Sequence, residues 1–183
     1  MYLYTRDNKI IEIMIGVLIL NIKKELILLI KGLSEHSKTL SCMESCTGGG
    51  LANQITNIDG ASEVFKFSAV TYCNEYKVKM GVPEHIINMY GVYSIEVARE
   101  MAKAISKFSN SDYGIGVTGT LNCPDRENPS DSDNTVYISI YDKDNNISLD
   151  SNINVTSNYR EDNKNIVIIK IVEMLRKYVK KNN

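Results

Sequence analysis

The chain has 183 residues, of which 21 are basic and 22 acidic, so its formal net charge at pH 7 is -1. A chain of this length is expected to form one domain and to bury roughly 70% of the surface that its unfolded state exposes. The balanced charge argues against a protein that binds nucleic acid or an anionic membrane through bulk electrostatics, so any phosphate ligand must be held by local contacts.

The cysteines and the first apolar stretch bear on metal binding and location. Four cysteines and two histidines occur, and no two cysteines are spaced as a CxxC pair, so no metal site is predicted. Cysteines without such a pattern are typical of reduced thiols in the cytoplasm. Residues 10–20 are apolar but too few to span a bilayer, and no cleavage site of a secretory signal follows them. The sequence therefore predicts a cytoplasmic protein.

Residues 1–21 are interpreted as an N-terminal extension, and residues 22–183 as a single domain. A helical stripe predicts that the extension forms a helix that packs on the domain or on a partner subunit, although a mistaken start codon would look similar. The domain is predicted to begin with a helix over 22–30 that Gly32 stops. The apolar positions of the stripe are Ile10, Ile13, Met14, Val17 and Leu18.

The most informative segment is Glu-Ser-Cys-Thr-Gly-Gly at 44–49, between a predicted strand over 39–43 and a predicted helix over 51–57. Ser45 would then lie at a helix N-terminus, where free N–H groups and the helix dipole stabilise an oxyanion or a phosphate. The glycines that follow would let a ligand approach the backbone closely. Taken alone, the segment favours the alternative that Ser45 or Thr47 merely caps the helix.

A second candidate, Lys77, follows a predicted strand over 67–73. A lysine near a strand end can act as a general base if burial or a neighbouring cation keeps it neutral, because desolvation lowers the pKa of a lysine. Tyr72 could relay a proton or fix this base. On its own Lys77 is more often a solvated helix residue, and the functional interpretation gains weight only if its amine lies beside Ser45.

The rest of the chain alternates further helices and strands. A helix over 95–108, capped by Ser94, and a strand over 113–118 are predicted. Thr118 and Gly119 then open a polar loop over 119–134, which is either the rim of a ligand crevice or a simple strand exit. A hairpin and a final helix follow, so the sequence predicts an α/β fold with helices covering a mixed sheet. The predicted hairpin strands cover 135–141 and 147–155, and the final helix covers 161–180.

Three weaker candidates complete the set. Arg160, just before the final helix, is a candidate fork for a phosphate or carboxylate, although a solvated surface arginine is the more common case. Ser62 could donate to a ligand, although capping a helical turn is more common. All four cysteines are interpreted as structural thiols, since none has a histidine nearby in sequence.

These segments, in this order, resemble the CinA C-terminal domain family over residues 25–178. Five motifs in register carry the resemblance. They are the segment at 44–49, Gly-Ala-Ser-Glu-Val-Phe at 60–65, Tyr-Cys-Asn-Glu-Tyr-Lys at 72–77, Gly-Val-Pro at 81–83 and Gly-Val-Tyr-Ser at 91–94.

The resemblance implies a three-layer α/β/α sandwich with a mixed, mostly parallel sheet, usually as a homodimer, and hydrolysis of nicotinamide mononucleotide to nicotinate mononucleotide and ammonia. By matching positions, Ser45 resembles the family's nucleophile, Lys77 its base and Tyr72 its proton relay. No metal or cofactor is implied, and the expected partner is a small-molecule nucleotide rather than nucleic acid or a membrane. The positions that resemble substrate-binding residues are Thr47, Gly48, Gly49, Ser62, Thr118, Gly119 and Arg160.

An alternative follows from the loop, where the chain departs from the family's glycine-rich pattern. Side chains at 118–125 replace backbone that could wrap a ligand, and four carboxylates, against only Arg126, bring negative charge near an expected phosphate. The alternative is a non-catalytic nucleotide-binding or regulatory protein of this family. A weaker third hypothesis, a partner in DNA uptake or repair, rests on the family name alone. The four carboxylates are Asp125, Glu127, Asp131 and Asp133.

Overall fold

The computed structural model describes residues 6–123, 128 and 134–182, with side chains in the first helix from Leu20 onward. The four acidic residues of the loop and Arg126 lie outside the described residues. Within the described ranges, no helix combines the length and the apolar composition that crossing a bilayer requires.

A five-stranded mixed sheet forms the centre of the fold, with strand order β2-β1-β3-β4-β5. β1 pairs in parallel with β2 and β3, whereas β4 is antiparallel to both of its neighbours. Four strands therefore point the same way, and the predicted mixed sheet is confirmed. β1 and β3 are buried along their whole length, as expected for central strands covered on both faces. The strands are β1 (Leu40–Glu44), β2 (Phe65–Val70), β3 (Tyr113–Gly119), β4 (Thr135–Asp142) and β5 (Ile147–Asn154).

Helices cover both faces of this sheet and make a three-layer α/β/α arrangement. α1 packs against α7 in the larger apolar cluster, and α5 and α6 contribute to a second cluster behind Met43 of β1. The helices are α1 (Arg6–Glu35), α2 (Gly50–Thr56), α3 (Ala61–Val64), α4 (Asn74–Lys79), α5 (Glu84–Tyr90), α6 (Ile95–Ser109) and α7 (Arg160–Asn182).

Two glycines of β3 allow α6 to pack very close to the sheet. A Cβ atom on Gly114 would lie 2.0 Å from the Ala102 carbonyl oxygen, and one on Gly116 would lie 2.1 Å from the Ala98 carbonyl oxygen. Any larger residue would push the helix away from the strand. This close packing supports β3, whose carboxyl end borders the site described below.

Two sequence predictions about element bounds are wrong. Gly32 does not stop a helix, because α1 continues to Glu35 with Leu33 fully buried, and this packing outweighs the cost of about 1 kcal/mol for a helical glycine. β2 begins at Phe65 and ends at Val70, earlier at both ends than predicted. The predicted cap of α6 is confirmed, since Ser94 Oγ accepts from the Val97 N–H at 3.3 Å.

Candidate active site

Ser45 directly follows β1 at the carboxyl edge of the sheet. Its backbone N–H donates to the Val117 carbonyl oxygen at 3.1 Å, which continues the pairing with β3 by one residue. The side chain borders a cavity of about 920 Å³ that lies where β1, β2 and β3 end and α7 begins. Crevices at this edge of an α/β sheet are common ligand sites.

Lys77 lies behind Ser45 and is buried, with 1% of the residue exposed. It is carried by α4, the first helix after β2, and its side chain points back toward the strand ends. Its Nζ donates to the Thr71 carbonyl oxygen at 2.7 Å and to Ser45 Oγ at 3.2 Å. Lys77 is therefore not a solvated helix residue. Its amine and the Ser45 hydroxyl form a buried hydrogen bond.

Glu44 occupies the N-terminus of α2, which the sequence predicted to be free for a ligand. Its buried carboxylate accepts from the backbone N–H groups of Gly49 at 3.1 Å, Leu51 at 3.1 Å and Ala52 at 3.0 Å. The prediction that these helical N–H groups hold an oxyanion is therefore wrong, because a fixed anion already satisfies them.

The same contacts overturn the capping alternative. The N-cap of α2 is Gly49, and no side chain of the cap residue accepts a hydrogen bond there, so neither Ser45 nor Thr47 caps the helix. A glutamate six residues before the first helical glycine, Gly50, was the sequence signal for this arrangement, and the sequence prediction did not use it.

The turn after Ser45 contains both bonded and open backbone N–H groups. The N–H groups of Gly48 and Gly50 are bonded, since they donate to the carbonyl oxygens of Ser45 and Thr47, both at 3.1 Å. In the described part of the chain, the N–H groups of Cys46 and Thr47 donate to no other residue, and the Cys46 N–H contacts only its own thiol. These two donors, directly after the hydroxyl, are the candidates for stabilising a developing negative charge.

Arg160 and Tyr72 form the mouth of the cavity. Arg160 Nη1 donates to the Leu121 carbonyl oxygen, and its Nη2 donates to the Tyr72 hydroxyl at 3.3 Å. Tyr72 is 66% exposed, and its hydroxyl already accepts from Arg160 at the cavity entrance. Its position therefore fits contact with a ligand at the entrance better than direct support of the lysine.

Five of the predicted binding residues border a cavity at this edge of the sheet. Gly119 borders the same cavity as Ser45, whereas Thr47, Gly48 and Gly49 border a neighbouring cavity of about 530 Å³. Arg160 borders both cavities. These five residues are thus divided between two adjacent cavities.

Ser62 and Thr118 do not line either of these cavities. Ser62 is exposed in α3, before β2, and so lies at the opposite edge of the sheet from Ser45. It does not cap that helix, since the N-cap is Gly60. Thr118 is fully buried, and its Oγ1 donates to the Val92 carbonyl oxygen at 3.0 Å, which ties β3 to the segment before α6.

The cysteines differ more than the sequence suggested. Cys42 and Cys46 are buried, but Cys73 and Cys123 are exposed and border the cavity with Ser45. Burial raises the pKa of the Cys46 thiol to about 12, so this neighbour of Ser45 stays protonated and is a poor nucleophile. Within the described residues, no group of three metal-binding side chains is present.

Comparisons with known proteins relate the chain to the family that its sequence motifs resemble. A profile of the CinA C-terminal domain matches residues 23–179. A Caldicellulosiruptor bescii protein named as competence-damage inducible is 38% identical over 146 residues, which are 79% of this chain and 32% of that protein. A CinA-like protein of Endomicrobium trichonymphae is 50% identical over 88 residues, 48% of this chain and 21% of that protein. The chain thus spans a third or less of the length of these relatives.

Solved structures show the same fold. A competence/damage inducible protein of Agrobacterium tumefaciens superposes with a TM-score of 0.78 at 25% identity, covering 87% of this chain and 96% of that one. A competence damage-inducible protein of Klebsiella pneumoniae gives a TM-score of 0.80 at 17% identity, covering 88% of this chain and 99% of that one. The second likeness, at this low identity, concerns the fold alone.

Proposed function

The chain belongs to the CinA C-terminal domain family, and on that premise we propose that it is an amidohydrolase that converts nicotinamide mononucleotide to nicotinate mononucleotide and ammonia. The observation that carries the proposal is the 3.2 Å contact between Lys77 Nζ and Ser45 Oγ beside a large cavity. A hydroxyl within hydrogen-bonding reach of a buried base is the usual arrangement of an activated nucleophile.

In the first half of the reaction, Ser45 Oγ attacks the carboxamide carbon while its proton passes to the amine of Lys77, a step that requires this amine in its neutral form. The hydrogen bond from Lys77 to the Thr71 carbonyl oxygen holds the amine in place for this transfer. The carbonyl oxygen becomes an oxyanion, which the open N–H groups of Cys46 and Thr47 are suited to bind. Lys77 then gives the proton to the departing nitrogen, and ammonia leaves an acyl-enzyme ester on Ser45.

In the second half, water attacks the ester carbon and gives its proton to Lys77. The proton returns to Ser45 Oγ as the carbon–oxygen bond breaks, and the product carboxylic acid loses its remaining proton to water to give nicotinate mononucleotide as a carboxylate. The chemistry therefore uses one hydroxyl, one amine and backbone N–H groups of this chain. Arg160, which borders the cavity and has guanidinium donors beyond those already used, is suited to the nucleotide end of the substrate.

The test is ammonia release from nicotinamide mononucleotide by the wild type and by Ser45→Ala, with ligand binding measured for both. We expect ammonia release by the wild type only, and binding by both proteins. Ser151→Ala is the matched control, because it removes a serine hydroxyl from the edge strand β5, away from the cavity. This variant should leave the rate of ammonia release unchanged. Binding without ammonia release by the wild type would support the non-catalytic alternative, which the altered sequence at 118–125 favours.

A further inference from the structure

Three asparagines connect both ends of the loop after β3 to the first turns of α7. Asn163 of α7 is fully buried, and its Nδ2 donates to Asn122 Oδ1 at 2.9 Å and to the Ser157 carbonyl oxygen at 2.8 Å. The Asn122 Nδ2 donates to the same carbonyl oxygen at 2.8 Å. At the other end of the loop, Asn134 Oδ1 accepts from the Asn122 N–H. We call Asn122, Asn134 and Asn163 the asparagine clamp.

Two residues of the asparagine clamp have a backbone conformation that favours glycine. The φ angle is +64° at Asn122 and +59° at Asn134. Asparagine adopts this left-handed region more readily than most other residues with a side chain, because its short amide can bond locally. The two turns therefore form without glycine, and each carries an amide group that glycine would lack. These amides bind neighbouring segments of the chain, and neither residue lines the Ser45 cavity.

The asparagine clamp holds the wall of the Ser45 cavity that residues 119–121 form. Thr120 is buried in this wall, and its N–H donates to the Thr135 carbonyl oxygen at 3.2 Å. Its Oγ1 accepts from the Asn134 N–H at 3.0 Å. One side of the wall is therefore fixed to the residues with which β4 begins.

The other side of the wall is fixed to α7. Leu121 is buried and directly precedes Asn122, which bonds to Asn163. The Leu121 carbonyl oxygen accepts from Arg160, one turn before Asn163 on the same helix. All of these contacts lie within the chain, so the position of the wall does not depend on a ligand.

The contact between Ser45 and Lys77 depends on other elements. Ser45 follows β1, and the pairing of β1 with β2 places Thr71 beside it. The Lys77 Nζ donates to the Thr71 carbonyl oxygen at 2.7 Å, which fixes the amine that α4 carries. The asparagine clamp takes part in neither of these contacts. Removing an amide of the clamp is therefore expected to displace the wall of the cavity and to leave the reacting pair in place.

We propose that the asparagine clamp is a set of positioning residues that preforms the wall of the Ser45 cavity and thereby increases the affinity for the substrate. The inference rests on the proposed function, because the substrate is the nucleotide whose carboxamide lies at Ser45. A preformed wall favours binding, since little conformational freedom is lost when the ligand binds. The asparagines act through Thr120 and Leu121, because none of the three lines the cavity.

The experiment replaces Asn122 by glycine, which keeps the positive φ but removes the amide. Asn122→Gly should raise the KM for nicotinamide mononucleotide about fivefold or more, because the hydrogen bonds to Asn163 and Ser157 are lost. The kcat should stay within about twofold of the wild-type value, since a change that affects binding alone raises KM and not kcat. Calorimetric titration of Ser45→Ala and Ser45→Ala/Asn122→Gly with the nucleotide measures the same loss of affinity without turnover.

Asn146→Gly is the matched control, because it makes the same change at another asparagine with a positive φ, of +52°. The Oδ1 of Asn146 also accepts a hydrogen bond, from the Tyr141 hydroxyl at 3.0 Å. This residue lies in the turn between β4 and β5 and does not line the cavity. Asn146→Gly should therefore leave both KM and kcat unchanged.

A second variant tests whether the asparagines act as one unit. Asn163→Leu removes the contact with Asn122 from the side of α7 and should also raise the KM. In Asn122→Gly/Asn163→Leu the KM should exceed the larger single effect only slightly, because residues of one network do not contribute additively. If Asn163→Leu does not fold, Asn134→Gly takes its place, since it removes the acceptor of the Asn122 N–H.

The outcomes separate the asparagine clamp from the proposed function. If the wild type releases ammonia but Asn122→Gly has the same KM as Asn146→Gly, the clamp is wrong and the amidohydrolase remains. A lower kcat at an unchanged KM, or additive effects in the double variant, also overturns the clamp. If the wild type binds the nucleotide without releasing ammonia and Asn122→Gly weakens this binding, the clamp remains and the amidohydrolase is wrong. A wild type that neither binds nor hydrolyses the nucleotide overturns both.

Discussion

Lys77 Nζ lies 3.2 Å from Ser45 Oγ, although 32 positions separate the two residues in the chain. The register of the sheet explains this contact, because the last residues of β1 and β2, Glu44 and Val70, are paired neighbours. Ser45 and Thr71 therefore leave the sheet side by side, and α4 returns the lysine amine to the Thr71 carbonyl oxygen. Parallel strand pairing thus places a hydroxyl and an amine at one edge.

The first prediction concerns Lys77 as the proton acceptor. Lys77→Met keeps a long side chain in the buried space but removes the amine, so ammonia release should fall by about 100-fold or more, the usual contribution of a general base. The measurement is kcat for nicotinamide mononucleotide. Lys79→Met, an exposed lysine of the same helix that pairs with Glu75, is the matched control. A Lys77→Met protein that retains the wild-type kcat would contradict the mechanism.

The second prediction concerns Glu44, which accepts three backbone N–H groups while fully buried. In Glu44→Gln one carboxylate oxygen becomes an NH₂ group that faces N–H donors, so the free energy of unfolding should fall by about 2 kcal/mol. Urea unfolding at neutral pH measures this change. Glu75→Gln, at an exposed position, should lie within about 0.5 kcal/mol of the wild type. Equal stability of the two variants would show that the buried carboxylate is not what holds this turn.

The elements that the sequence predicted well are those with a strong internal pattern. The apolar residues predicted for the last helix, such as Ile171 and Leu175, are buried in α7, and the hairpin strands lie within a few residues of their predicted bounds. A repeating apolar pattern predicts these elements because one face of each must be buried. The mixed sheet follows from the order of these elements.

The details that the sequence did not predict depend on contacts between distant segments. The Glu44 carboxylate fills the N-terminus of α2, and Thr118 bonds to Val92 rather than facing the cavity. Both arrangements result from packing. Ser62 and Ser45 share the same type of side chain, yet the direction of the strands sends them to opposite edges of the sheet. Motif order identified the residue types of the site, while only the register and the helix positions decide which side chains meet.

The third prediction concerns the pH dependence of stability through Asp112. Burial alone would raise the pKa of this carboxyl, but hydrogen bonds from Thr39 and the charges of Lys38 and Lys143 outweigh it and hold the pKa below its usual value of 3.8. A lowered native pKa adds stability above the unfolded pKa, and this contribution is lost as the pH falls through the native value. Asp112→Asn should therefore reduce the free energy of unfolding more at pH 7 than near pH 3.

Urea unfolding of the wild type and Asp112→Asn at the two pH values tests this sign. Asp144→Asn is a suitable control, because its carboxylate also contacts Lys38 but is half exposed and receives no bond from Thr39. We expect the difference in stability between the wild type and Asp144→Asn to change less with pH than the difference between the wild type and Asp112→Asn. A constant difference between Asp112→Asn and the wild type from pH 3 to pH 7 would contradict the prediction.

The last prediction uses the division of the cysteines into two exposed and two buried thiols. A maleimide should modify Cys73 and Cys123, which border the Ser45 cavity, much faster than Cys42 and Cys46. Burial raises the pKa of both buried thiols, so they contain little reactive thiolate as well as being inaccessible. Peptide mapping by mass spectrometry at pH 7 measures the order of labelling. Because the two exposed thiols lie on the cavity, modification should inhibit turnover, and nicotinamide mononucleotide should slow their labelling.

Labelling in urea, where all four thiols should react alike, is the control. Labelling of Cys46 in the folded protein as fast as Cys73 would show that the turn after Ser45 opens readily, and would argue against a fixed pair of N–H donors at Cys46 and Thr47.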